Sequence, residues 1–267
     1  MSNLASDFHL LHGHSTSAVI DMRSGMPALL YFGRRLSRAT TPDMLATLAA
    51  RAETPGAPAQ LAPITLSPLL GEGWPGSPGI SGHAQGRAWG LYPRIAAIEP
   101  DGESSLLVRA RDATHGIEIV HRLRLFTESD VLVASAEVIN AGTSPFQLDQ
   151  CAALTLPVPD GLTRILSYEG RWAGEFQTRA LERFMGAYVR ESRRGRTSHD
   201  SFPALVIESE HCTETQGEAL GLHLGWSGNH RLVVENLPDG RGYAQLGELF
   251  LPGEMRLQPG ARYRSPD

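Results

Sequence analysis

The run Ile117-Glu118-Ile119-Val120-His121-Arg122-Leu123-Arg124-Leu125 decides the fold class. Side chains of an extended chain alternate with period two, so Ile117, Ile119, His121, Leu123 and Leu125 share one face. Glu118, Val120, Arg122 and Arg124 share the other. The next run sets Val131, Val133, Ser135, Glu137 and Ile139 against Leu132, Ala134, Ala136 and Val138. It is apolar on both sides, which predicts a strand covered on both faces. Asn140-Ala141-Gly142-Thr143 reads as a turn and Gln147 to Pro157 as the returning strand.

The same pattern extends outward in both directions. Phe8 to Met22 reads as two short strands broken at His12-Gly13-His14, and Pro27 to Phe32 as a third. Downstream runs fall at 162–168, 188–192, 204–208, 219–226, 231–236 and 242–249. One helix is expected near residues 42–52. Thr41 suits its N-cap, Pro42 its first position, and Leu45, Leu48, Ala49 and Ala52 one face. Thr54-Pro55-Gly56-Ala57-Pro58 ends it. Pro68 to Pro93 is rich in glycine and carries Trp74 and Trp89, so it is expected to lie as a loop on a scaffold. Many short strands, one early helix and no βαβ rhythm predict an all-β fold, a large antiparallel β-sandwich. No repeat or long linker divides residues 1–267, so a single domain is expected.

Composition narrows the function. A net charge of −5 argues against nucleic acid as a partner, and the basic residues are all arginine. Coding bias accounts for that choice at least as well as recognition chemistry does. No apolar run is long enough to span a bilayer. Met1 to His14 shows no signal-peptide pattern, so a cytoplasmic protein is expected, with no membrane partner. Cys151 and Cys212 are too few for a disulfide framework.

Several clusters imitate active sites. Ser227-Gly228-Asn229-His230 spells the letters of the SGNH esterases, but those four residues come from separate blocks of an α/β fold. Contiguous on an extended chain, they read as a turn between strands. His9, His12 and His14 lack a fourth ligand at fixed spacing, so no metal and no cofactor are expected. Arg190, Arg193, Arg194 and Arg196 surround Gly195 without interleaved aromatics and read as a solvated turn.

Three further segments point elsewhere: Gly170-Arg171-Trp172-Ala173-Gly174-Glu175-Phe176, Arg194-Gly195-Arg196-Thr197-Ser198-His199-Asp200, and Leu222 to His230. With Leu251-Pro252-Gly253-Glu254 and Ser265-Pro266-Asp267 they resemble, in order and in kind, the N-terminal domain of bacterial α-galactosidases of glycoside hydrolase family 36. The first matches a G-R-W-x-x-E-F pattern of that family. The resemblance implies a supersandwich of the galactose-mutarotase kind, followed in the whole enzyme by a catalytic (β/α)8 barrel. Retaining hydrolysis needs two carboxyl groups roughly 5 Å apart. In the family both are barrel aspartates, one in a K-W-D segment, and no Trp-Asp pair occurs in this chain.

The resemblance therefore implies a non-catalytic domain. Its partners would be the barrel, other subunits of a homo-oligomer, and α-galactosides such as melibiose or raffinose. A family loop close to P-x-Y-G-x-x-D-F-R reaches the substrate rim. The aligned stretch here, Trp74 to His83, lacks the aspartate and arginine at their places, and His83 or Arg87 is the candidate substitute. Trp74, Trp89 and Trp172 are the candidate sugar-stacking aromatics. The alternative is a free-standing carbohydrate-binding β-sandwich, similar to lectins or mutarotases.

Overall fold

The computed structural model describes residues 7–50 and 61–267. In chain order its elements are β1 (Phe8–His12), β2 (Thr16–Asp21), β3 (Ala28–Arg34), α1 (Pro42–Ala49), a 3-10 turn (Leu70–Glu72), β4 (Ile80–His83), β5 (Arg94–Asp101), β6 (Ser105–Asp112), β7 (Ile117–Leu125), β8 (Leu132–Asn140) and β9 (Phe146–Val158). There follow β10 (Leu162–Arg171), β11 (Gly174–Glu182), β12 (Gly186–Ser192), β13 (Ala204–Ser209), β14 (Ala219–His223), β15 (His230–Asn236), β16 (Gly242–Glu248), β17 (Arg256–Leu257) and β18 (Arg262–Arg264).

The architecture is nearly all-β, and its strand pairs are antiparallel. Where the sequence predicts one large sandwich, the strands form four smaller sheets. Their orders are β1-β2-β3, β18-β8-β7-β6-β5, β12-β15-β16-β9-β17 with β4 also on β9, and β11-β10-β13-β14. Apolar clusters join them. Ile119, Ala136 and Val138 meet Ile80, Leu148 and Cys151 from β4 and β9. Leu11, Ala18 and Ile20 meet Leu106, Val108 and Leu123. Ile165, Leu205 and Ile207 meet Leu232, Val234 and Ala244. Sheet faces are buried against one another because each alternates an apolar side with a polar one.

β8 is covered on both faces, as its sequence predicts. Ala136 and Val138 enter the core, while Ser135 and Glu137 are buried under arginines. Arg122 pairs with Glu137 at 2.7 Å, and Arg264 donates to the Ser135 hydroxyl at 3.1 Å. Without those guanidinium partners, the carboxylate would be an expensive buried charge.

α1 begins as expected, the Thr41 hydroxyl accepting from the Met44 amide at 3.3 Å. It ends at Ala49, and only Leu45 of its expected apolar face is buried; Leu48 is 56% exposed. Ala52 and the segment 54–58 lie outside the described residues. At the turn between β1 and β2, Asp130 accepts from the Ser15 amide at 3.0 Å and the Thr16 hydroxyl at 2.9 Å. The Ser15 hydroxyl bond, above all, holds that carboxyl down to about 2. A Cβ at Gly13 would strike the same carboxylate, so the turn requires glycine. His12 is engaged with Ser17 at 2.9 Å. Cys151 and Cys212 are both free. Among the described residues, no helix is long and apolar enough to cross a membrane, and no group of three His, Cys, Asp or Glu is placed to hold a metal.

Candidate functional site

The segments that stood out in the sequence converge on one corner of the molecule. In the first, β10 and β11 form a hairpin whose Arg171 lies opposite Gly174, leaving Trp172 and Ala173 as a two-residue turn. Ala173 takes φ 58° and Phe176 φ 55°, a left-handed backbone that is uncommon for residues other than glycine. Glu175 steadies the turn by accepting from the Ala173 amide at 3.1 Å. A Cβ at Gly170 would meet the Gly174 carbonyl and, at 2.8 Å, the Glu175 Cα, so glycine permits the bulge there. The result is Trp172 held out at the tip, 82% exposed.

The second and third segments are tied to each other. The Gly195 amide donates to Asn229 Oδ1 at 2.7 Å, and the Thr197 amide to the Ser227 carbonyl at 2.6 Å. Trp226 Nε1 donates to the Asn229 carbonyl at 3.0 Å. Gly228 lies against the Trp226 indole, where a Cβ would come within 2.6 Å. The chain between β14 and β15 thus passes from one sheet to another rather than closing a hairpin. The Gly225 amide donates to the Asp267 carbonyl at 2.8 Å, which brings the Ser265-Pro266-Asp267 segment to the same corner.

His230 Nε2 lies 3.1 Å from the hydroxyl of Ser201, not of Ser227, and Nδ1 faces the Gly228 carbonyl at 3.2 Å. Both side chains are buried, no carboxylate orients the ring, and burial lowers the imidazole pKa. A nucleophile needs substrate access and an oriented base. This pair has neither and serves as internal bonding.

Between the first two segments lies an open cleft of about 730 Å³, lined by Glu169, Arg171, Gln177, Arg190 and Asp200. Arg190 bridges it, reaching Glu169 at 3.3 Å, the Ser167 hydroxyl at 3.3 Å and the Asp200 carbonyl at 2.6 Å. Arg194 forks onto the Asp200 carboxylate at 2.9 and 3.0 Å. The Ser198 hydroxyl, and then Arg194, hold Asp200 below the usual carboxylate range against a partial cost of burial. A group held ionised is no proton donor near neutrality. Carboxyls pushed up by burial occur elsewhere, each with its own partner: Glu72 with Arg94 and Glu248 with Tyr263. Glu254 adds a like charge near Glu248, whereas Glu72 is opposed by the Arg94 guanidinium.

The aromatic candidates separate sharply. Trp74 is 3% exposed, its indole donating to the Ser77 carbonyl at 3.0 Å and its ring edge-on to Tyr243 at 5.3 Å. It is a core residue, and the expectation that it stacks on sugar is corrected: the glycine-rich loop folds over a small core of its own with Ile64 and Leu237. His83 ends β4 and accepts the Gly86 amide at 2.9 Å. Arg87 closes a two-residue turn with Ala84 and is exposed, as is Trp89 at 63%. Arg87 and Trp89 share one loop; Trp172 belongs to another sheet. Sequence reasoning missed Tyr92, exposed beneath the Arg94 guanidinium at 3.4 Å. It also missed the ring cluster of Tyr168, Phe176, Phe202 and His223. These residues lie far apart in sequence, so no local signal joins them.

Comparison with known proteins gives a consistent picture. The family model described as "Glycosyl hydrolase family 36 N-terminal domain" matches residues 25–258. An Escherichia coli α-galactosidase is 35% identical over 76% of this chain, which spans 28% of that enzyme. Mel36A, an α-galactosidase of Lactobacillus acidophilus, is 25% identical over 66% of the chain and is spanned to 24%. The fold of a Lactobacillus brevis α-galactosidase superposes with a TM-score of 0.87 at 20% identity, covering all of this chain and 39% of that one. A Geobacillus stearothermophilus α-galactosidase solved in complex with raffinose gives 0.85 at 20% identity, covering 97% and 39%.

Proposed function

The chain belongs to the family of glycosyl hydrolase family 36 N-terminal domains, and from that premise we propose that it is the non-catalytic front part of a retaining α-galactosidase. In this reading a separate barrel module supplies the two reactive carboxyl groups. The domain supports that barrel, takes part in a cytoplasmic homo-oligomer, and lends exposed side chains to the rim where an α-galactoside such as melibiose or raffinose enters. The observation that carries the non-catalytic role is the state of the corner's carboxylates. Glu169 and Asp200, the two carboxylates that line the cleft, are each committed to an arginine.

Residues 1–267 are read as one domain, its sheets stacked as layers of a supersandwich. The support is that each large apolar cluster draws on more than one sheet. Trp89 and Arg87, exposed on one loop, are the better sugar contacts, with Trp172 next; His83 is spent on its own turn. The test is direct. The purified 267-residue chain is expected to release no nitrophenol from p-nitrophenyl α-galactoside above a mock preparation, while the gene's full product does. Turnover by the short chain would overturn the reading.

A further inference from the structure

The sheet β11-β10-β13-β14 buries only one of its faces. Ile165 lies opposite Leu181 and Ile207, and Leu205 opposite Leu222; these side chains join or lean on the shared apolar cluster. Because neighbours on a strand point to opposite sides, the residues between them make a second face. That face pairs Leu166 with Ala180 and Val206, Tyr168 with Thr178, and Ala204 with His223. No described apolar cluster includes it. Phe176, 60% exposed, lies 4.9 Å from Phe202, and Phe202 lies 5.6 Å from His223. Arg164 with Glu208 and Glu182 forms a charged border at one end. β11, the sheet's free edge, is exposed from Glu175 to Ala180. A contiguous aromatic face with a charged rim and a bare strand edge is the composition of an interface, not of solvated surface.

The path of the chain indicates what covers it. Asp267 is fastened to Gly225, two residues beyond His223, and Arg264 pins the Asp267 carboxylate at 2.9 Å. Chain that continues past this point starts at the edge of the aromatic face. The matched region is an N-terminal domain and spans 28% of the Escherichia coli relative, so most of such an enzyme follows it. A tethered module reaches an adjacent face at a high effective concentration, an advantage that a separate molecule lacks. We infer that the outer face of this sheet, around Tyr168, Phe176 and Phe202, is the seat of the catalytic module that follows the domain. The inference rests on the proposed function.

The test compares the 267-residue chain with the gene's full product by hydroxyl-radical footprinting, read by mass spectrometry. Oxidation of Tyr168, Phe176, Phe202 and His223 is expected to fall at least ~5-fold in the full product, with exposed Met44 unchanged as the reference. Equal rates in the two proteins would overturn the docking face alone. Protection that grows with the concentration of the short chain would assign the face to a second copy, and protection brought by raffinose would assign it to sugar; each also overturns the inference. A full product that carries no further module would instead sink the functional reading. Phe176→Asn, which suits the left-handed backbone there, provides an independent check. It should leave the melting temperature of the short chain unchanged and lower that of the full product; no change in the full product would count against docking.

Discussion

His121 couples this fold to pH in the mildly acidic range. It is fully buried on β7 with Nε2 2.9 Å from the Ser67 hydroxyl, and burial lowers its pKa to about 4. The unfolded chain, with an ordinary imidazole near 6.5, binds the proton more readily. Stability is therefore complete above pH 6.5 and declines as pH falls from there towards 4, by roughly 3 kcal/mol from this group alone. Urea titrations between pH 7 and 4 should show that decline, and His121→Gln, uncharged throughout, should flatten it. Trp74 and Trp172 form a second contrast. Trp74→Ala opens a cavity beside Tyr243 and is expected to cost about 3–5 kcal/mol, whereas Trp172→Ala removes a side chain from solvent and should cost under about 0.5 kcal/mol. Equal losses in denaturant midpoints would contradict both placements. Sequence alone separates these tryptophans poorly, because each has a glycine within two residues on either side. What buries Trp74 is Tyr243, far along the chain.

Among elements, long alternating strands such as β7 and β8 were readable, and β4, β5 and β11 were not. β7 and β8 alternate over nine residues each and pair in full register. β11 reads Gly-Glu-Phe-Gln-Thr-Arg-Ala-Leu-Glu, with no apolar period, because it borders the sheet and buries almost nothing. Its strand character comes from its pairing with β10 across the hairpin, which the apolar pattern of β11 itself does not signal. Exposure predicts weakness. In hydrogen exchange of the isolated chain, amides of β11 should exchange orders of magnitude faster than those of β8, which is buried between β7 and β18. Comparable protection of the two strands would mean that the edge is covered even in the short chain. The helix shows the reverse error. Its cap was legible at Thr41 because capping is local, but its expected apolar face was not real beyond Leu45.

At the scale of the molecule, the family was legible because its marks are turn residues with local causes. Gly170 admits a bulge, Gly228 an indole, and Gly195 a left-handed backbone at φ 72°. Their meeting at one corner was not legible, since Asn229 and Ser227 reach Gly195 and Thr197 across some thirty residues. Nor was the division into four sheets, which depends on where chains such as Gly225–Asn229 change partners. The unequal burial of the two cysteines carries a practical consequence. Cys151 is sealed in the core with its thiol pushed up to about 12, while Cys212 is partly open. An alkylating reagent at neutral pH should therefore add one label per native chain and two per denatured chain. The protein contains its own tally of how many molecules have come apart, and a mass spectrum can read it without any added reporter.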